Sequence, residues 1–409
     1  MGKYVLAILC LSFPLPIADA SDAKKGNASA AIAVTQGPKH HFVGYYDITP
    51  WDKTGRYLLA NEIDFIDRQP KPGEPLTVGM VDLETKKYIA LDTTTAWCWQ
   101  MGTRLQWLGS APDREVVYNS VKDGAYVATI RDVHSGKTRT LPRPIYALSP
   151  DGTQAVTLEF ARLHRLRPGY GYNALPERGA DDPAPKDLGI YHMDMRTGAN
   201  KLIIPYTWAA QNQPDERFKP GKHHWYNHLL FSPSGKRFLF LHRWQKDGGG
   251  WWTRMYVANA DGSERRLVFD DGMISHFDWQ DDDNVLAWAR TKEHGDRFYV
   301  ANLRTGEKTI VGDKVLVKDG HCSYSPNRRW ILNDTYPDSA RLQTLMLYDP
   351  FAKKRIDLGT FFLDKKLTGP FRCDLHPRWN RDGTHVCIDS GHEGHRQVYV
   401  VDVAKWTKK

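Results

Sequence analysis

Two short landmarks alternate along this chain, and their alternation restricts the possible folds more than any other feature. The first is a polar turn leading into a short apolar run. Examples are Asp52-Lys53-Thr54-Gly55, Ser149-Pro150-Asp151-Gly152, Ser232-Pro233-Ser234-Gly235 and Asn380-Arg381-Asp382-Gly383, followed by apolar runs at 57–60, 155–158, 238–241 and 386–388. The second is an Asp or Asn that ends a strand and opens a turn, as at Asp82-Leu83-Glu84-Thr85, Asp132-Val133-His134-Ser135, Asp194-Met195-Arg196-Thr197 and Asn302-Leu303-Arg304-Thr305. Each landmark occurs seven times without a miss. A polar turn between short apolar runs is a hairpin signal. A repeat of this length with several strands per unit builds propeller blades rather than a solenoid. The fold class expected is all-β, a seven-bladed β-propeller of four-stranded antiparallel blades. Ala31-Ile32-Ala33-Val34, ahead of the first unit, is placed to complete the last blade and close the ring.

The ends and the composition set the compartment. Lys3, an apolar stretch at 4–17 and Ala18-Asp19-Ala20 read as a signal peptide over residues 1–20. Residues 21–30 read as a flexible leader and 31–409 as a single propeller domain. The apolar stretch is too short to span a bilayer, so a secreted or periplasmic protein with no membrane partner is expected. Cys98, Cys322, Cys373 and Cys387 remain after cleavage, an even number that permits disulfides without requiring them. The net charge of +8 favours anionic partners. No block of Lys/Arg and no nucleic-acid motif is present, so the expected partner is an acidic polysaccharide or oligosaccharide, not nucleic acid, bound by a monomer.

Four blade openings carry a histidine at matched positions: His228, His276, His321 and His376. Radial stacking would bring these imidazoles onto one ring at the channel mouth. Imidazoles with carboxylate company suit Zn²⁺ or Mn²⁺. Asp374, two residues before His376 and so on the same strand face, could supply the oxygen. His276, His321, Asp374 and His376 are therefore the candidate metal ligands, with Cys322 and Cys373 flanking them as sources of a thiolate. Arg243, Arg254, Arg372 and, on the second blade, Arg104 offer the guanidinium fork that matches a carboxylate or sulfate. For Arg378, bracing between blades is expected. Insertions at 160–187 and 206–225 interrupt the spacing, and the first is dense in Arg and Tyr, with Arg167, Tyr170 and Tyr172 as substrate contacts. His40-His41-Phe42-Val43-Gly44-Tyr45-Tyr46-Asp47 opens the first blade and places one further histidine at the channel or the opposite mouth.

With these motifs the chain resembles the seven-bladed propeller enzymes that attack uronate-containing polysaccharides: oligogalacturonate lyases, ulvan lyases and related propeller α-L-rhamnosidases. The likeness to oligogalacturonate lyases implies His228 as the base and His276 and His376 as metal ligands. Asp374 stands where that family has a further histidine, and its glutamine ligand has no counterpart. Where ulvan lyases have a histidine pair, this chain has Gln100 and Asn119, which become substrate contacts, while Tyr170 or Tyr172 matches their tyrosine. The rhamnosidase branch, with a lone N-terminal histidine at the other mouth, would use His40 or His41.

The activity expected is β-elimination on a uronate-bearing glycan. His228 would be the base, Tyr226 or Tyr172 the acid, and Arg243 or a divalent metal would neutralise the carboxylate. The rivals are a glycoside hydrolase releasing rhamnose through His41, and a glycan-binding propeller without catalysis.

Overall fold

The computed structural model describes residues 26–28, 30–211 and 215–408. The signal peptide at 1–20 and most of the leader lie outside the described residues. Among those described, no helix is long and apolar enough to cross a membrane.

Seven four-stranded antiparallel sheets follow one another along the chain. Their first strands are His40–Phe42, Gln106–Trp107, Ala147–Leu148, His224–Phe231, Ile274–Trp279, Ser323–Tyr324 and Arg378–Trp379. The seventh sheet takes its fourth strand from the beginning of the chain: Ala31–Ala33 pairs with Gln397–Asp402, with Ala31 opposite Val401 and Ala33 opposite Tyr399. This closes the ring between first and last blade, as the apolar tetrapeptide at 31–34 led one to expect.

The second landmark has a common physical basis. The side-chain oxygen of Asp82 accepts the backbone N–H groups of Glu84 and Thr85. Asp132, Asp194, Asn302 and Asp349 do the same for the residues two and three positions on. A short carboxylate or amide thus caps the turn between a blade's last two strands, which is why Asp or Asn recurs there. Apolar side chains of adjacent sheets fill the space between blades. Arg162, in the helix Phe160–Leu166 of the first insertion, is fully buried and donates to the backbone oxygens of Pro183 and His224.

The first blade departs from the others. His40–Phe42 pairs with the far end of its neighbour, His40 opposite Ile63 and Phe42 opposite Asn61. The ladder resumes only at an isolated bridge between Trp51 and Leu58. Between them the chain leaves the sheet and crosses the axis. There Tyr45 lies against histidines of the fourth, sixth and seventh blades, which only an axial position allows. This loop is held by the seventh blade. Asp389 accepts the N–H groups of Val43 and Gly44 at 3.0 and 3.4 Å. Arg378, paired with Asp389 at 3.2 Å, donates to the carbonyls of Tyr45 and Gly44. Gly44 has φ +124°, and a Cβ there would sit 2.9 Å from the Met101 carbonyl oxygen, so no other residue fits without moving the second blade.

Arg378 and Asp389 are fully buried. Arg378→Met should lower the unfolding free energy by about 3–5 kcal/mol, because it leaves two axial carbonyls without their donor and removes the nearer guanidinium from Asp389, with only Arg396 at 3.7 Å remaining. Urea unfolding measures this, and a loss under about 1 kcal/mol would contradict the bracing role.

Candidate functional site

Tyr45 and Tyr46, both buried, form a septum on the axis with their rings 4.7 Å apart. All four blade-opening histidines pack round it. His228 lies 5.0 Å from Tyr45 and 5.5 Å from Tyr46, His276 5.7 Å from Tyr46, His321 5.3 Å from Tyr46 and His376 5.1 Å from Tyr45. The rings of His276 and His321 are 4.2 Å apart, and those of His321 and His376 are 4.3 Å apart. His228 and His376 adopt left-handed backbone, φ 51° and 43°, as does Arg104 at 56°. Such residues carry a cost of about 1–3 kcal/mol each, met here by dense packing round the axis.

The four imidazoles differ in what holds them. His321 Nδ1 lies 2.9 and 3.0 Å from the two oxygens of Asp334, leaving Nε2 without a partner. His276 Nδ1 lies 2.9 Å from Asp319, and its Nε2 is 3.5 Å from the Tyr336 hydroxyl. His376 has neither nitrogen hydrogen-bonded, and His228 has only Nε2 near Tyr46 Oη, at 3.3 Å. Burial pushes the pKa of His228 and His376 well below the ordinary value, with neighbouring cations adding to it. Burial also lowers that of His276, against the pull of Asp319. For His321 burial acts downward, but Asp334 together with Asp374 and Asp319 outweighs it and the pKa is raised.

Ligand-capable atoms of His321, Asp374 and His376 lie within 4.8 Å of one another. The buried atoms without an aligned hydrogen bond here, His321 Nε2, both His376 nitrogens and both Asp374 oxygens, are the donor set a divalent ion of Zn²⁺ or Mn²⁺ type accepts, with Arg372 Nε 2.7 Å from Asp374 Oδ2 as a charge already against that carboxylate. A carboxylate behind His321 is the usual outer support of such a ligand. The residues present therefore fit a metal. Cys322 and Cys373 do not join this group. The four cysteines among the described residues are buried and unpaired, and burial pushes the Cys373 thiol up to about 12 and that of Cys322 well above its ordinary value, so neither offers a thiolate.

Above the septum opens a cavity of about 270 Å³, walled by Tyr45, Tyr170, Tyr336, His276, Trp251 and four cations: Arg167, Arg243, Lys246 and Arg290. Arg243 is buried, and its guanidinium has no carboxylate partner among the described residues. Burial, then Arg167, pushes its pKa down to about 10. Arg167 and Arg243 lie 4.4 and 5.5 Å from the Trp251 ring, and the Nε of each is unpartnered. A larger cavity of about 410 Å³ opens at the opposite mouth, with Tyr46 as its inner wall, and contains no histidine. Arg290 is paired with Asp296; Arg243 and Arg167, without such a pair, and the imidazole mark the first cavity as the candidate site.

Several residues singled out from sequence lie elsewhere. Tyr226 donates to the Pro205 carbonyl and stacks on Tyr206 in the core, and Tyr172 stacks on Phe160 at 4.1 Å while accepting from Asn119. The tyrosines that reach the cavity are Tyr45, Tyr170 and Tyr336. Arg104 is spent in a bidentate pair with Asp47, at 2.8 and 3.1 Å. Asn119 also ties down Ile145, and Gln100 donates to the carbonyls of Pro370 and Arg372. Arg254 pairs with Asp215 and Asp270 beside Phe218, outside the cavity lining. His41 is held by Gln397 and Glu62 between the first and seventh blades, and neither His40 nor His41 lines either cavity. Sequence reasoning missed Tyr45, Tyr336, Asp319, Asp334 and Trp251. The Tyr45-Tyr46 pair stood inside a motif read for its histidines, and Asp319 stands two residues before His321.

No protein-family model matches this chain, and no curated protein does. Solved structures do. An oligogalacturonate lyase in complex with manganese aligns with a TM-score of 0.68 at 16% identity, over 94% of this chain and 96% of its own. An oligogalacturonate lyase from Vibrio parahaemolyticus aligns with a TM-score of 0.65 at 16% identity, over 92% and 95%. The tricorn protease aligns with a TM-score of 0.50 at 12% identity, over 90% of this chain and 34% of its own. At these identities the likeness establishes the fold: along nearly its whole length this chain has the seven-bladed architecture of the oligogalacturonate lyases.

Proposed function

We propose that this chain is an exported lyase that cleaves a uronate-bearing oligosaccharide by β-elimination. The observation that carries this reading is the pair of unpaired guanidiniums, Arg243 and Arg167, in a cavity that also presents an imidazole. Burying a cation without a partner is costly, so such a site calls for an anion of the ligand. A uronate carboxylate there would be held by Arg243 and Arg167, with its sugar ring against Trp251. Neutralising that carboxylate stabilises the carbanion-like charge that develops when the adjacent C5 proton leaves. A divalent ion held by His321, Asp374 and His376 would add positive charge to the same end.

His276 is the imidazole on the cavity wall. Asp319 orients its Nδ1, which leaves Nε2, 3.5 Å from the Tyr336 hydroxyl, as the proton-accepting nitrogen, an arrangement suited to a general base. His228, which the family likeness favours, lies against Tyr45 and outside the cavity lining. We assign the base to His276 and the proton for the leaving oxygen to one of the cavity tyrosines, Tyr45, Tyr170 or Tyr336.

Short galacturonate oligomers incubated with the protein should develop ultraviolet absorbance from a new C=C bond. Free rhamnose from a rhamnosyl-uronate without that absorbance would establish hydrolysis instead, and saturable binding without turnover on any uronate glycan would establish a binding protein. His276→Gln should abolish turnover while substrate still binds. If His228→Gln abolishes turnover and His276→Gln retains it, the base is His228. Arg243→Gln should weaken substrate binding on the order of 10- to 100-fold, the value of one charge-assisted hydrogen-bond contact. Steady-state kinetics on the same oligomers measures it, and an unchanged kcat/KM would remove Arg243 from the site.

A further inference from the structure

Asp374 is fully buried, and neither of its oxygens accepts an aligned hydrogen bond among the described residues. Its charge is met by Arg372, whose Nε stands 2.7 Å from Oδ2. That same oxygen lies 3.9 Å from His376 Nε2. Arg372 therefore holds the Asp374 oxygen that lies toward His376, while Oδ1 has no hydrogen-bond partner. The contact is one of charge alone, since Arg372 Nε has no aligned acceptor. Elsewhere the guanidinium donates from Nη1 to the Gly369 carbonyl at 3.3 Å. Its Nη2 donates to the Tyr170 hydroxyl at 2.9 Å, and its carbon lies 5.5 Å from the Tyr336 ring. Tyr170 and Tyr336 both line the cavity.

We propose that Arg372 and a divalent cation compete for Asp374. Binding of the ion drives Arg372 off Oδ2 and into the cavity, where it joins Arg243 and Arg167 as a third anchor for the substrate's carboxylate. The inference rests on the metal reading of His321, Asp374 and His376. Its physical ground is charge balance: one buried carboxylate neutralises one cation, and a guanidinium and a divalent ion on the same oxygen repel strongly where water is excluded. Arg372 has a second place to go, because Tyr170 and Tyr336 already hold the far side of its guanidinium. Metal and anionic ligand would then bind cooperatively, each raising the affinity of the other by the same factor.

Titration calorimetry of Mn²⁺ into the wild type, Arg372→Met, Arg372→Gln and Arg372→Lys tests this, with thermal unfolding confirming that each protein is folded. The neutral variants should bind Mn²⁺ at least about 10-fold more tightly than the wild type, and the Lys variant should stay close to it. Galacturonate serves as a probe that has no glycosidic bond to cleave. Mn²⁺ should raise its affinity for the wild type by more than for Arg372→Met, where only the charge of the ion acts. Equal or weaker Mn²⁺ binding by Met and Gln variants overturns the proposal, since Arg372 would then support the carboxylate rather than block it. If no variant and no wild type takes up Mn²⁺, the metal reading falls and the proposal with it. If the wild type binds and His376→Ala does not, while Arg372→Met is unchanged, the proposal falls alone.

Discussion

The buried pair of Arg378 and Asp389 is the interaction on which the centre of this propeller depends. Asp389 takes the N–H groups of Val43 and Gly44, and Arg378 takes the carbonyls of Gly44 and Tyr45. These backbone groups lie on the axis, away from water and away from any sheet, so without this pair they would be unsatisfied. The same two side chains join the seventh blade to the first, at the seam that the strand Ala31–Ala33 closes from outside. One ionic clamp thus secures the ring and places the tyrosine septum that divides the channel into two mouths.

The chemistry of the cavity is what remains after structure has claimed its share of the arginines. Arg104 is committed to Asp47, Arg162 to backbone carbonyls and Glu177, and Arg254 to Asp215 and Asp270. Arg243 and Arg167 have no such commitment, and they face the same cavity. The imidazoles divide in the same way. Asp334 and Asp319 brace His321 and His276, whereas His228 and His376 meet burial without a carboxylate of their own in hydrogen-bond range. Matched positions in a repeat have therefore acquired unequal electrostatic character through neighbours that the repeat does not specify.

The fold was legible because its signals are local. Asp82, Asp132 and Asp194 mark turns that their own side chains cap, and the apolar runs beside them need only a neighbouring blade to bury against. The convergence of His228, His276, His321 and His376 was legible for the same reason, since equal positions in radially arranged units meet at the axis. Tyr226, Tyr172, Gln100 and Asn119 were not legible in this way. Each has the right chemistry for a site, yet each is tied to a partner elsewhere in the chain, such as Pro205 for Tyr226 and Arg372 for the Gln100 amide nitrogen. The septum was hidden because a break in the first blade, rather than a repeat element, carries it.

The amino-acid sequence alone determined the number of blades, the closure of the ring by its first strand and the identity of the residues whose strands begin at the channel. These follow from turn chemistry and from the alternation of polar and apolar residues, which act over a few positions. Only the tertiary structure decided which polar side chains are spent and which are free: that Arg104 is neutralised and Arg243 is not, and that Arg372 stands on the carboxylate of Asp374. Charge pairing acts through space at a few ångströms, whether the partners are 57 positions apart, as Arg104 and Asp47 are, or two, as Arg372 and Asp374 are, and no local pattern in the chain says which pairs will form.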